Sequence, residues 1–416
     1  MMVKKGIEIR LYPNKGQRNF INKMIGAVRV VYNTMLYRKE KYYEEHKESL
    51  NVLPTDLYTE YLWLKELDSQ GFCNVYMDLN KAYNNWFNSL KGKNKGKFKA
   101  PKYKNKSHSG SYKNGQPIKI PNKLIDLQNH TIKLPKLKYV KFKGNVDLDR
   151  IKKIYNVTIK KTNTNKYFCS ICCDYEVPDY EQTDAVVGLD LGIKDLIITS
   201  DGQKFENKKF YRNNEKKIKH LQRELSRKKK GSRNHDKARL KHAIAHEKLS
   251  NCRKDYIQKL TTKLVKDYSV ICIEDLAVSN MMKNHKLAKS ISDCSFSMIR
   301  QMLDYKCRWY GRQLVVIDRW EPTSKTCSNC GHIMKDWNLG IREWICPSCG
   351  TYHDRDVNAA KNILKCGLQK LDKLLNSNKD TVGTTEIQAC GERSFISEMK
   401  CSCSLKQETD SSLVSQ

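Results

Sequence analysis

The chain has 416 residues with 78 Lys and Arg against 45 Asp and Glu, a formal net charge of +33. That balance calls for a polyanionic partner, nucleic acid first. No apolar run approaches the ~18 residues of a spanning helix, the opening MMVKKGIEIRLYP lacks the apolar core of a secretory signal, and sixteen cysteines in so lysine-rich a chain fit a reducing compartment.

Residues 3–12 alternate apolar and polar and predict a strand, ended by Pro13-Asn14. Phe20, Met24, Ala27, Val28, Val31 and Met35 then recur at helical spacing. A second helical stretch holds Tyr58, Leu62 and Leu64. A third carries Tyr76, Leu79, Ala82, Tyr83, Trp86 and Phe87, an aromatic stripe expected to pack as core. Residues 91–115 contain nine lysines and no acid, interleaved with Phe98, Tyr103 and Tyr112. Such a segment reads as a solvated basic linker that orders against phosphate.

From 118 to 177 the pattern is strands: PIKIP, HTIKLPKL, YVKFKG, KKIYNVTIKKT and KYFCSICCDYEV, with a hairpin turn at Asn163-Thr164-Asn165. Cys169 and Cys172 lie in the last of these and read as packing residues. Together with the first strand these segments could close a small barrel, with residues 14–115 inserted into it as helices.

AVVGLD, residues 185–190, is a short apolar run ending in a carboxylate. KDLIITSDG and QKFENKKF follow as second and third antiparallel strands. Residues 214–266 are helical and basic, interrupted at Gly231-Ser232, with Arg223, Arg227, Lys228, Lys229, Lys230, Arg233, Lys237, Arg239 and Lys241 around the break. This reads as a surface for duplex backbone. SVICIED is a buried-strand pattern ending at Glu274 and Asp275. A helix over 295–310 leads to QLVVID, another strand.

Four thiols come next in two knuckles, Cys327 and Cys330, then Cys346 and Cys349: C-x2-C, fifteen residues, C-x2-C. Two such pairs close a tetrahedral structural zinc site. Gly331 and Gly350 follow each knuckle, where the turn tolerates positive φ. The ribbon runs into a helix through Leu368, with Asp356 and Asn358 at its start and Val357, Ala360, Ile363, Leu364 and Leu368 on one face. A carboxylate at a helix start can be a plain N-cap. Three acids in the order strand, strand end and helix, however, suit phosphodiester hydrolysis by two Mg²⁺, held by Asp190, Glu274 and Asp356.

GLDLGIKDL, ICIEDLAVSNM and CSNCG…CPSCG…HDRDVNAAKNI resemble the three motifs of the RuvC-like nuclease core of the TnpB family, RNA-guided nucleases of insertion sequences related to compact type V CRISPR effectors. YPNKGQRNFINKMIGAVRVVYN resembles the family's opening segment, and GTTEIQACGE at 383–392 its tail.

The resemblance implies an α/β multidomain chain. Its core would be an RNase H-like (RuvC) nuclease over 181–320 and 353–375, with a zinc ribbon inserted over 321–352 that loads target nucleic acid. An OB-like β-barrel wedge over 1–13 and 116–180 would be interrupted by a helical recognition lobe and basic linker over 14–115. It implies Asp190, Glu274 and Asp356 as magnesium ligands. The family pattern selects Asp356 over Asp354, and Asp275 would stand behind Glu274 as an outer partner.

It further implies a guide RNA from the element's end, a double-stranded DNA target cut next to a short flanking motif, a monomer, and the nucleoid-bearing cytoplasm of a prokaryotic cell. A guide-loaded DNA-binding regulator that does not cut, and an RNase H-like transposase, are the alternatives. No His-x-His occurs, which speaks against a tyrosine transposase of that type. Residues 376–416 read as a disordered tail in which Cys390, Cys401 and Cys403 have no partner set.

Overall fold

The computed structural model describes residues 1–377 apart from 95, 115–123, 336, 337 and 339. The tail was expected to be disordered from 376, but 376 and 377 belong to the last helix; the rest of that tail with its cysteines, the segment 383–392 and the expected strand PIKIP lie outside the described residues. The chain forms two compact units, one of Met1–Pro178 and one from Asp179 onward. No helix among the described residues is long and apolar enough to cross a membrane.

In the first unit, β1 (Met2–Tyr12) is followed by α1 (Lys15–His46). Asn14 starts α1 through a capping box: its Oδ1 accepts from the Gln17 amide at 2.9 Å, and Gln17 Oε1 accepts from the Asn14 amide at 3.0 Å. The helix buries Ile21, Met24, Ala27, Val28, Val31, Tyr32, Met35 and Leu36. Where a second helix was expected, Pro54–Leu57 and Leu62–Glu66 form two 3-10 turns. Three apolar residues in that short stretch bury without a full helical face.

α2 (Ser69–Leu90) follows, capped by Asp68. It buries Phe72, Val75 and Leu79, but Tyr83 and Trp86 are only half-buried and Phe87 is exposed. The aromatic stripe is therefore not core. Its rings stack on one another, Trp86 on Phe87 at 4.9 Å, beside a cavity shared with Asn80, Asn84 and Pro101.

The first unit's sheet comprises β2 (Gly110–Asn114), β3 (Ile125–Asp126), β4 (Thr131–Leu134), β5 (Lys138–Lys143), β6 (Ile151–Lys161) and β7 (Tyr167–Glu176) with β1. The order is β2-β6-β7-β1-β5-β4-β3, with every pairing antiparallel. Among the described residues no ladder joins β2 to β3, so barrel closure is not seen there. β2 corrects the reading of 91–115 as linker throughout. Its Tyr112 and Asn114 are buried, and Asn114 donates to the Asp68 carboxylate. Cys169 is buried, as a packing residue should be, but Cys172 is only half-buried, and the alternation of β7 puts Cys173 in the core in its place.

The second unit opens with β8 (Val186–Asp190), β9 (Asp195–Thr199) and β10 (Lys204–Glu206). A helical hairpin follows, α3 (Phe210–Ser226) and α4 (Arg233–Asp267), then β11 (Val270–Glu274), α5 (Val278–Met281), α6 (Ala288–Cys294), α7 (Phe296–Tyr310) and β12 (Gln313–Ile317). The ribbon carries β13 (Glu343–Ile345) and β14 (Tyr352–Asp354), and α8 (Arg355–Ser377) ends the described chain. The five-stranded sheet runs β10-β9-β8-β11-β12, with β8, β11 and β12 parallel.

Both faces of that sheet are covered, which is why its central strands read as nearly continuous apolar runs. Leu189, Ile271 and Ile273 pack with Leu260 and Leu264 of α4 and with Phe296, Ile299 and Leu303 of α7. Val270, Cys272, Val315 and Ile317 pack with Ile363 of α8 on the other side.

Candidate active site and metal centre

Asp190 and Glu274 are the last residues of two adjacent parallel strands. Leu189 pairs with Ile273 in register, so each carboxylate stands one step beyond that pair. The carboxyl ends of parallel strands are where open α/β sheets place their ligands. The alternation of β11 turns Ile273 toward α7 and Glu274 toward the face that α8 covers.

α8 brings the third acid. Its Ala360 carbonyl and Leu364 amide lie against Gly188 of β8, so close that a Cβ on Gly188 would meet them at 2.1 and 2.7 Å. From Gly188 to Asp190 the strand rises ~6.6 Å. From Ala360 back to Asp356 the helix travels ~6 Å. Asp356, about one helical turn before Ala360, lies close enough for its charge to act on Asp190.

The acids are felt electrostatically. The Asp190 carboxyl is pushed up to about 7, first by burial and then by the charges of Glu274 and Asp356. Burial also raises Glu274, offset by a hydrogen bond from the Thr323 hydroxyl to its Oε1 at 2.5 Å. Asp356 is held on Oδ1 by Arg355 at 2.7 Å and on Oδ2 by Arg342 at 3.3 Å. A cavity of about 740 Å³ opens beside Glu274, with Asn280, Phe296, Arg300 and Arg319 in its wall.

The two neighbouring acids have other work. Asp354 Oδ1 accepts from the Asp356 amide at 3.0 Å and the Val357 amide at 3.1 Å, and its Oδ2 meets Lys204 Nζ at 2.6 Å. It is the cap of α8, so Asp356 is not consumed in capping. Asp275 is taken up by Arg300 and by Arg319, the latter at 2.6 Å, and these guanidiniums hold it below the ordinary carboxylate range.

The four thiols meet as the spacing requires. Among the described residues, Cys327, Cys330, Cys346 and Cys349 bring their sulfurs within 4.8 Å of one another. Cys327 and Cys349 are 3.7 Å apart, and Cys330 and Cys346 3.6 Å. Zinc–sulfur bonds of ~2.3 Å at tetrahedral angles separate sulfurs by ~3.8 Å, so the set fits a four-thiolate metal site. Both knuckles close alike: the Gly331 amide donates to the Cys327 carbonyl and the Gly350 amide to the Cys346 carbonyl, each at 2.9 Å. The two glycines have φ of 79° and 70°. Residue reading missed His353, buried with its Nε2 3.0 Å from Cys327 Sγ.

It also missed two buried asparagines on α8. Asn358 Oδ1 accepts from the Ser328 amide at 2.9 Å, and its Nδ2 donates to the Thr326 carbonyl at 2.8 Å. Asn362 Nδ2 donates to the carbonyls of Thr323 at 2.8 Å and Thr326 at 2.7 Å. Asn358 and Asn362, four residues apart, share a face of the helix, but it is not the apolar face of Ala360, Ile363 and Leu364, so the periodicity gives no sign of their burial.

The chain is similar to known proteins over most of its length. Family models described as "Cas12f1-like, TNB domain", "Probable transposase" and "Helix-turn-helix domain" match residues 296–363, 170–285 and 1–48. The chain is 36% identical over 374 residues to a "Putative RNA-guided DNA endonuclease" of Streptomyces pristinaespiralis, covering 88% of this chain and 90% of that protein. It is 32% identical over 389 residues to the "Putative RNA-guided DNA endonuclease InsQ" of Escherichia coli K12, covering 87% and 92%. The fold resembles the protein of a Cas12f1–sgRNA–target DNA complex, with a TM-score of 0.53, 13% identity, and coverage of 87% of this chain and 98% of that one.

Proposed function

Because this chain belongs to the TnpB family, we propose that it is an RNA-guided DNA endonuclease that cuts target DNA beside a short flanking motif by metal-dependent phosphodiester hydrolysis. One observation carries the chemistry: Asp190 and Glu274 close adjacent parallel strands, and α8, seated on Gly188, brings Asp356 near enough for its charge to act on Asp190. Three carboxylates so gathered form an oxygen donor set whose charge a divalent cation relieves.

Asp190, Glu274 and Asp356 are the residues that would hold Mg²⁺. Such ions, once bound, lower the pKa of an attacking water and stabilise the leaving oxygen. The side chains prepare that site. Asp190 must give up its proton. Glu274 keeps Oε2 free while Thr323 fixes Oε1. Arg342 and Arg355 bring positive charge to the Asp356 edge, which suits a phosphodiester strand. The four cysteines would hold a structural zinc ion.

In domain terms, the unit from Asp179 corresponds to a RuvC-like nuclease interrupted by the ribbon at 321–352. The first unit corresponds to an OB-like wedge carrying a helical recognition lobe. Guide RNA supplies sequence specificity by pairing, and the basic α3–α4 hairpin supplies backbone contacts.

Plasmid cleavage tests the proposal: protein carrying RNA from the element's end, Mg²⁺, and a target flanked by random sequence. Guide-dependent breaks enriched for one flank are expected, and Asp190→Ala should abolish them while leaving RNA bound. Wild-type cutting by that variant would remove the carboxylate site from the chemistry. Guide-dependent binding without breaks would make the protein a regulator instead.

A further inference from the structure

Thr323 lies between the carboxylate site and the first knuckle, and it is buried, only 6% exposed. Its hydroxyl donates to Glu274. Its carbonyl accepts from Asn362 on α8, the helix that carries Asp356. Three residues on, the Thr326 carbonyl takes two donors, one from each buried asparagine. The Ser328 amide, inside the Cys327–Cys330 knuckle, donates to Asn358. So residues 323–328 run along one face of α8, fastened at three points four or fewer residues apart.

We propose that Thr323, Asn358 and Asn362 are positioning residues through which the first knuckle sets the geometry of the carboxylate site. The inference rests on reading Asp190, Glu274 and Asp356 as cation ligands. The ribbon then has a second task besides contacting nucleic acid: it holds Glu274 and Asp356 in one frame.

The physical argument concerns what each group would otherwise do. Glu274 ends its strand with a side chain of three rotatable bonds, and one short hydrogen bond removes much of that freedom. Because among the described residues only Oε1 is engaged, the second oxygen stays available to a cation. Thr323 can serve this purpose only if its own backbone is fixed, and Asn362 fixes it. Thr326 in turn is fixed by both asparagines, and the knuckle closes directly after it. An Asn at 358 or 362 that served only helix packing would not need to satisfy ribbon carbonyls. Partners behind a metal ligand change metal affinity by ~10–100-fold when removed.

The test uses the full-length chain without nucleic acid, and Mn²⁺ as the probe, its free concentration read by electron paramagnetic resonance. Asp190→Ala defines the carboxylate-site signal. Thr323→Val keeps shape and removes the hydroxyl, and is expected to weaken Mn²⁺ binding by ~10-fold. Thr323→Ser restores the hydroxyl and is expected to bind as the wild type does. Asn362→Leu, which strips a donor from both carbonyls, is expected to shift binding in the same direction as Thr323→Val. Each variant should retain its thiolate-bound zinc, measured by metal analysis, and its guide RNA binding.

Equal Mn²⁺ affinity for Thr323→Val and Thr323→Ser would overturn the proposal while leaving the carboxylate site intact. No difference between wild type and Asp190→Ala would overturn the carboxylate reading itself, and the positioning role with it.

Discussion

Gly188 and Ala360 touch backbone to backbone: a Cβ on Gly188 would sit 2.1 Å from the Ala360 carbonyl oxygen. Gly367, two turns further along α8, meets instead a side chain, with a virtual Cβ 2.3 Å from the Cys272 sulfur. These two contacts let the helix lie directly on β8 and β11, and the position of Asp356 follows from them. Gly188→Ala must push α8 outward. A loss of about 1–3 kcal/mol in unfolding free energy is expected, the usual cost of overpacking. Cleavage should fall by more than stability alone explains, because Asp356 moves with the helix. Urea unfolding and plasmid cleavage on one preparation check both.

The raised Asp190 carboxyl makes a pH prediction. Its folded value, about 7, lies above the ordinary carboxylate value of 3.8. Below that ordinary value both states hold the proton and there is no differential effect. As pH rises from about 4 to 7 the unfolded chain gives up its proton while the folded chain keeps it, so the group increasingly disfavours folding. Above 7 the penalty is at its full size. Asp190→Asn should therefore raise the melting temperature of chelator-treated protein at pH 8 by several degrees, and the gain should shrink toward pH 4. Scanning fluorimetry across that range reads the difference directly.

The thiolate site predicts one zinc ion per chain by metal analysis. Cys346→Ser removes a buried ligand from a set whose sulfurs are already at tetrahedral spacing. Loss of the ion is expected, with a lower melting temperature, since a structural zinc contributes to folding directly. Full zinc retention in that variant would contradict the assignment.

The tip of the α3–α4 hairpin carries Lys228, Lys229 and Lys230, all exposed and free of ion pairs to acids among the described residues. Each lysine that neutralises a DNA phosphate contributes ~0.9 to the slope of log affinity against log salt. Changing all three to Gln should reduce that slope by up to about 3 and weaken binding at low salt, with little change in stability. An unchanged slope would place the backbone contact elsewhere.

Much of the second unit could be read from residues alone because its signals are local. A buried parallel strand is a continuous apolar run, and in β8 and β11 a carboxylate closes the run. A double C-x2-C has few alternative meanings. Asn358 and Asn362 escaped because their partners are backbone groups 30 and 39 positions away, which no periodicity reports. β2 escaped because one buried Tyr and one buried Asn are hidden among lysines, and its partner β6 lies some forty residues further on. The α2 aromatics misled for the opposite reason. Helical spacing places Tyr83, Trp86 and Phe87 on one face, but only the packing around them decides whether that face is covered.

Asp354 and Asp356 give the sharpest test, because they are two residues apart and do different work. Asp354 accepts from two amides at the start of α8 and pairs with Lys204, all structural contacts. Asp354→Ala should cost about 1 kcal/mol of stability, the typical worth of an N-cap, together with whatever the partly exposed ion pair adds. Asp354→Asn keeps an oxygen acceptor and should recover most of the cap. Neither change touches a cation ligand, so both should leave residual cutting within about tenfold of wild type, the range a 1.4 kcal/mol disturbance allows. Asp356→Asn reverses the pattern. The cap is intact, so unfolding in urea should shift little. The donor set loses a charge, so cutting should vanish while RNA and DNA remain bound. Parallel measurement of urea midpoints and cleavage rates for the three variants separates the roles. If Asp354→Asn abolished cutting and Asp356→Asn did not, the ligand would be Asp354, two residues before the acid assigned to that role.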